Sequence, residues 1–281
     1  MRTATLDIQY KTPEQLRLMR AAGLVVADAL RQMRDAVAPG VSTGELDELA
    51  EGVIRAAGAV PSFKGYYGYP ASICASVNHQ IVHAIPSRQQ ILREGDLISL
   101  DCGAILDGWH GDAAITVGVG EVRPNLRRAV EVAQDAMWAG IIAAAQGVRS
   151  GTGRLTDISA AIEDSIRSAG RYGVVKGYGG HGIGTEMHQD PHLLNYGRPG
   201  RGPRLVPGLA LAVEPMLTMG SATTQELADG WTVVTRDGSI AVHVEHSIGL
   251  YEDGVWVFTA EDGGRERLGE LATSQAGMAD S

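Results

Sequence analysis

The sequence predicts an α+β fold made of two copies of one unit, each running helix, helix, strands. Three observations predict it. Helical periodicity occurs in two separated pairs of segments, strand-like runs flank an Asp-Gly turn in each half, and short stretches of the first half recur about 110 positions later.

The first helix starts at Thr12-Pro13-Glu14-Gln15. Thr12 can cap it, Pro13 is tolerated at the first helical position, and the Gln15 side chain can bond back to the cap. Leu16, Met19, Gly23, Val26, Leu30, Met33 and Val37 follow at alternating spacings of three and four, which is one buried helix face. Pro39-Gly40 ends it, and a second helix restarts at Thr43, carrying Leu46, Leu49, Val53 and Ile54 to Gly58. Residues 126–145 and 155–169 repeat the pattern, with Gly147 between the helices and Gly170 after them.

Lys64-Gly65-Tyr66 recurs as Lys176-Gly177-Tyr178, His83-Ala84-Ile85-Pro86 pairs with His188-Gln189-Asp190-Pro191, and residues 95–101 pair with 208–214. The period is too long for a solenoid, so it reads as two fused copies whose matching residues meet at a two-fold axis. Chance similarity of glycine-rich stretches is the bland alternative. The repeat gains weight because its matching ends are acidic.

Asp107-Gly108, between strand-like runs at 97–104 and 110–117, is a hairpin signal. A two-residue turn there sets Asp101 opposite Ala114 and puts Asp112 on the same face as a diagonal neighbour. Two acids on an apolar-flanked face repel unless something cationic lies between them. In the second half, a strand at 209–213 ends in Glu214-Pro215, and runs at 231–235 and 240–250 flank Asp237-Gly238 and include Glu245. Glu245 shares its face with His243 and Ser247. Taken singly, Glu214 could neutralise an arginine, and a lone histidine is more often packed than functional.

Charge and composition bound the function. Twenty-four Lys+Arg against 33 Asp+Glu give a net charge of −9, the wrong sign for a nucleic-acid partner. A 44% hydrophobic share fits a globular chain, and no stretch reaches the length of a bilayer span. The start has no apolar signal region, so a cytoplasmic location is expected. Cys74 and Cys102 are too few for a disulfide framework and too far apart for a C-x-x-C site.

Residues 177–184 contain a G-x-G-x-x-G match, but no helical periodicity follows it, which argues against a dinucleotide site. Glycines around His181 suit close approach to a crowded centre instead. Collected, Asp101, Asp112, His181, Glu214 and Glu245 are four carboxylates and one imidazole. Four negative charges match two divalent cations, and oxygen-rich ligation with one nitrogen suits Mn, Fe, Co or Zn. The chemistry implied is metal-assisted hydrolysis.

The order and setting of these five residues, in L-I-S-L-D, H-G-D-A, G-H-G-I-G, V-E-P-M and V-E-H-S, resemble the methionine aminopeptidases, the pita-bread metallopeptidases. The resemblance spans residues 12–260. It implies a pseudo-two-fold curved antiparallel sheet with two helix pairs on the outside, and a dinuclear enzyme that removes initiator methionine when the second residue is small. By the same resemblance, Asp101, Asp112, His181, Glu214 and Glu245 are metal ligands, Glu214 also relays a proton, and His83 and His188 contact substrate and stabilise the oxyanion. Tyr66, Tyr69, Cys74 and Trp231 match the family's pocket, joined by Phe63 and Met187, which depart from its usual residues, as does Ala84.

Only 30 residues separate Glu214 from Glu245, leaving no room for the helical insertion of type II enzymes, so type I is expected. The implied organisation is an N-terminal arm at 1–11, one catalytic domain at 12–262 with halves at 12–122 and 123–262, and a polar tail at 263–281. The implied partners are nascent polypeptide N-termini, with transient ribosome association, no direct nucleic-acid binding, no membrane, and a monomeric state. The nearest rival is an Xaa-Pro dipeptidase or aminopeptidase, which resembles this fold and ligand set but usually carries an extra N-terminal domain; only eleven residues precede Thr12. A binding module without activity would have lost ligands, and all five are present.

Overall fold

The computed structural model describes residues 6–277. Helix α1 (Pro13–Ala36) opens with the expected capping box between Thr12 and Gln15 and buries Leu16, Met19, Gly23, Val26, Leu30 and Met33. Helix α2 (Thr43–Ala56) is capped by Ser42, whose hydroxyl accepts from Glu45 N. Strands β1 (Val60–Pro61), β2 (Ile73–Val77) and β3 (Gln80–Val82) lead into the hairpin of β4 (Leu97–Leu106) and β5 (Trp109–Gly118). Asp107 and Gly108 both take positive φ, 50° and 81°, as a two-residue primed turn requires, and Asp101 falls opposite Ala114 as the turn predicts.

The second half begins with α3 (Pro124–Ser150) and α4 (Leu155–Ala169). Gly147 does not end α3, as the sequence suggested. The helix runs through it, Gly147 being there because Leu205 and Gly153 approach too closely for a Cβ, and the stop comes at Gly151 with φ 66°. Then follow β6 (Gly173–Val174), β7 (Gly179–Gly182), β8 (Gln189–Leu194), β9 (Ala210–Val213), β10 (Met216–Thr218), β11 (Thr224–Glu226), β12 (Val233–Thr235), β13 (Ala241–His243), β14 (Glu245–Tyr251) and β15 (Gly254–Val257).

Nine strands form the main sheet, in the order β1-β4-β5-β14-β9-β7-β8, with β2 also on β4 and β15 also on β14. Two three-stranded sheets flank it, β13-β10-β6 and β11-β12-β3. The expected hairpin about Asp237-Gly238 is therefore not a ladder. The turn is present, with Gly238 at φ 73°, but β12 pairs with β3 and β11 while β13 pairs with β10.

Each half keeps its own apolar core. One core packs α1 and α2 with β2 and β4, and the other packs α3 and α4 with β9, β14 and β15. The halves join where β5 pairs with β14. Matched repeat positions also share backbone conformation: Gly95 and Gly208 both have φ 87°, and Gly65 and Gly177 have φ 90° and 85°.

Within the polar tail expected from residue 263 onward, the described part packs against the second half. Helix α5 (Arg265–Leu268) buries Leu268 against the second core, and Asp253 binds Thr273 and Ser274. A few apolar side chains among many polar ones suffice to dock it. Residues 1–5 of the expected arm and 278–281 of the expected tail lie outside the described residues.

Helix α1 lies directly on β5 because Gly111 presents bare backbone to it, while the bare side of Gly23 faces Phe258. A Cβ on Gly111 would sit 2.7 Å from Gly23 N, so neither strand nor helix could keep its place beside Asp112. Gly111→Ala is expected to destabilise by about 1–3 kcal/mol in urea unfolding. Gly52→Ala, on α2 with open space around it, is expected to stabilise by about 0.5–1 kcal/mol.

Candidate metal centre

Strand register builds the centre. Cys74 on β2 pairs with Asp101 on β4, Asp101 with Ala114 on β5, and Ala114 with Glu245 on β14. Directly opposed residues share a face, so the row Cys74, Asp101, Ala114, Glu245 runs across four strands on one side of the sheet. Asp112 stands two residues from Ala114 on that side. His246 pairs with Val213, so one further step sets Glu214 beside Glu245. Ala114, with a single methyl in the middle of the row, leaves room between the acids.

His181 reaches the same place from β7. A Cβ on Gly180 would collide with Ala212 O and one on Gly182 with Asp190 O, so only glycine lets this strand close on its neighbours. His181 Nδ1 lies 2.9 Å from Gly182 O and donates to it, which leaves the Nε2 lone pair facing Glu214 Oε1 at 3.6 Å. Burial, with a smaller contribution from His188, holds the His181 imidazole down to about pKa 3, so it is neutral and able to ligate.

Asp112, Glu214 and Glu245 are buried, and burial raises all three, and Asp101 with them, above the ordinary carboxylate range. Mutual repulsion adds to the rise at Asp101, Asp112 and Glu245. Among the described residues no lysine or arginine lies within 4.0 Å of these four, and their only ion-pair partners are His181 and His243. That excludes the arginine account of Glu214. Asp101 Oδ1, Asp112 Oδ1 and Glu245 Oε1 are buried with no hydrogen-bond partner in the protein. Buried oxygens of this kind demand a cation. The donor set fits one: ligand atoms of Asp112, His181 and Glu245 all lie within 4.8 Å of one another.

The other expected residues gather on the same cavity, of about 100 Å³, lined by Phe63, Tyr66, Tyr69, Cys74, His83, Met187, His188 and Trp231 together with the five donors. Its inner wall is apolar, formed by Phe63, Tyr69, Cys74 and Met187, with Trp231 against Tyr69 edge to face at 5.0 Å. The Tyr69 hydroxyl donates to Ile73 O and Ala84 O, which fixes that ring. A wider groove of about 850 Å³ opens outward and shares His83, His181, His188 and Glu214 with the cavity. These four side chains form its throat.

The duplication is visible in the throat. Tyr66 OH lies 2.8 Å from His188 Nδ1, and Tyr178, its repeat partner, packs edge to face on His83. Burial holds His83 down to about pKa 4, so it stands as a neutral imidazole. Sequence reasoning gave no role to His243, whose Nε2 lies 3.3 Å from Glu214 Oε2 and 4.0 Å from Glu245 Oε2. The signal was present, since strand alternation already put it on the face of Glu245.

The chain matches the model of metallopeptidase family M24 over residues 17–252. It is 53% identical over 257 residues to methionine aminopeptidase 1 of Mycobacterium tuberculosis, a match covering 90% of this chain and 95% of the relative. Its fold superposes on the crystal structure of methionine aminopeptidase from Thermotoga maritima with a TM-score of 0.86 at 38% identity, covering 90% of this chain and 100% of the other. An Xaa-Pro dipeptidase from Bacillus anthracis shares the fold, with a TM-score of 0.69 at 24% identity over 90% of this chain and 62% of its own.

The electrostatics predict opposite effects of one substitution with and without metal. A folded-state pKa raised at Glu245 means the metal-free fold binds more protons than the unfolded chain above the ordinary Glu value of about 4.3, so this group costs stability increasingly as pH rises. Glu245→Gln is therefore expected to raise the thermal midpoint of chelator-treated protein by a margin that grows above about pH 4.3. The histidines are common to both proteins and cancel in that difference. With saturating Co or Mn the order should reverse; a variant less stable than wild type in both conditions would contradict the reading.

Proposed function

The chain belongs to metallopeptidase family M24, in its methionine aminopeptidase branch, and from that premise we propose that it removes the initiator methionine from nascent proteins whose second residue is small. The observation that carries the proposal is an apolar recess that ends at a cluster of uncompensated acids. The recess suits an unbranched thioether, which packs well against the rings of Phe63, Tyr69 and Trp231 and the sulfurs of Met187 and Cys74. The residue after the scissile bond would lie in the throat between His83 and His188, where imidazole rings leave little space for bulk.

We assign Asp101, Asp112, His181, Glu214 and Glu245 as the side chains that hold two divalent ions, Co, Mn, Fe or Zn. Two such ions supply a water of lowered pKa and polarise the carbonyl under attack. The remaining work falls to the chain's own groups. Glu214, at the throat, accepts the proton from the attacking water and passes it to the leaving amine. His83 and His188 donate N–H to the scissile amide and to the oxyanion as it develops. The Tyr66 hydroxyl, donating to Nδ1, holds His188 in the tautomer with its proton on Nε2. In the same reading the enzyme is a type I monomer that meets nascent chains in the cytoplasm, near the ribosome.

Met-Ala-Ser with added Co or Mn tests the assignment. Release of Met is expected, with little action on Ala-Pro peptides; the reverse preference would move the chain to the Xaa-Pro enzymes. Glu214→Gln should lower kcat by about 10²–10⁴, the usual worth of positioned acid–base catalysis. His83→Ala should cost about 10²-fold in kcat, the worth of one oxyanion donor. Full activity in Glu214→Gln would rule out its role.

A further inference from the structure

We propose that His243 is a positioning residue that donates its Nε2–H to Glu214 Oε2 and so fixes how that carboxylate presents itself to the metal ions; this rests on the metal assignment above. Glu214 stands between two imidazoles. Its Oε1 faces His181 Nε2 at 3.6 Å and its Oε2 faces His243 Nε2 at 3.3 Å. His243 is 2% exposed, and its buried Nε2 makes no hydrogen bond in this structure, although Glu214 Oε2 stands 3.3 Å away. A buried ring nitrogen without a partner is costly, and the carboxylate oxygen is the acceptor within reach.

Ligand atoms of Glu214, His243 and Glu245 also lie within 4.8 Å of one another, and the cavities are what assign His243 as donor and not as ligand. Both the cavity and the outer groove are lined by His181 and Glu214, and neither is lined by His243. His243 therefore stands behind Glu214, away from the space that ions and substrate share. With Oε1 turned to His181 and Oε2 to His243, the Glu214 carboxylate could serve an ion through one oxygen while the other accepts from His243.

The ring is held in that place from its backbone. Ser99 Oγ and Thr116 Oγ1, themselves 2.8 Å apart on β4 and β5, accept from His243 N, and the Thr116 hydroxyl donates to His243 O at 2.6 Å. Those two strands also carry Asp101 and Asp112. The hydroxyl pair thus ties the second half's imidazole to the first half's acids, and Glu214 is oriented by both halves at once.

The test uses full-length, metal-stripped protein titrated with Co(II) alone, read by calorimetry and by the visible Co(II) spectrum, with Met-Ala-Ser kinetics beside it. His243→Leu keeps the bulk and removes the donor, whereas His243→Gln returns an N–H at similar reach. Loss of an outer hydrogen bond to a ligand typically costs about 10–100-fold in affinity or activity, so His243→Leu should weaken Co(II) binding and lower kcat by that factor while KM stays within about twofold. His243→Gln should recover both to within about threefold, with Co(II) bands unmoved because no nitrogen has left an ion. If His243→Leu does not fold, the Gln variant still decides.

Wild-type affinity and kcat in His243→Leu would overturn the proposal. So would shifted Co(II) bands with lost affinity in His243→Gln, which would make the imidazole a ligand. Wild-type protein that takes up no Co(II) would overturn the metal assignment itself, a result distinct from normal uptake that the His243 variants leave untouched.

Discussion

Asp101, Asp112, Glu214 and Glu245 converge on one cavity with three of their oxygens unpartnered and no lysine or arginine beside them. Unlike charges in water, carboxylates this deep cannot all ionise unless cations stand among them, and burial accordingly pushes each toward its protonated form. Replacing the protons by divalent ions satisfies the same oxygens and keeps the charge. The glycines of β7, the single methyl of Ala114 and the neutral imidazole of His181 all serve that arrangement.

Duplication explains why the acids meet. Each half contributes helices that cover its own core and strands whose inner face carries acids, and the β5–β14 pairing lays the two inner faces side by side. Asp101 and Glu214 occupy equivalent ends of the repeat, as do His83 and His188 around the throat. Substrate recognition departs from that symmetry. The apolar recess is built mainly by first-half residues Phe63, Tyr69 and Cys74, closed by Met187 and Trp231, while the wider groove is lined largely from the second half.

Local signals were legible in the sequence wherever one turn fixes geometry. Asp107-Gly108 allows a two-residue turn, which sets the register of Asp101 against Ala114 and with it the common face of Asp112. Partner choice was not legible. Asp237-Gly238 marks a real turn, but nothing local tells β12 to join β3 or β13 to join β10, because those pairings depend on residues far along the chain. Gly147 looked like a stop and is instead a contact point, since only the packing of Leu205 and Gly153 reveals the need for a bare Cα. His243 was placed on the face of Glu245 but given no role, because alternation gives a face, not a distance, and its meaning appears only with Glu214 Oε2 opposite it.

Anomalous diffraction from crystals grown with Mn tests the central claim most directly. Two peaks about 3.5–4 Å apart are expected, enclosed by Asp101, Asp112, His181, Glu214 and Glu245. A map without density among those side chains, with manganese bound only to exposed acids, would contradict the account.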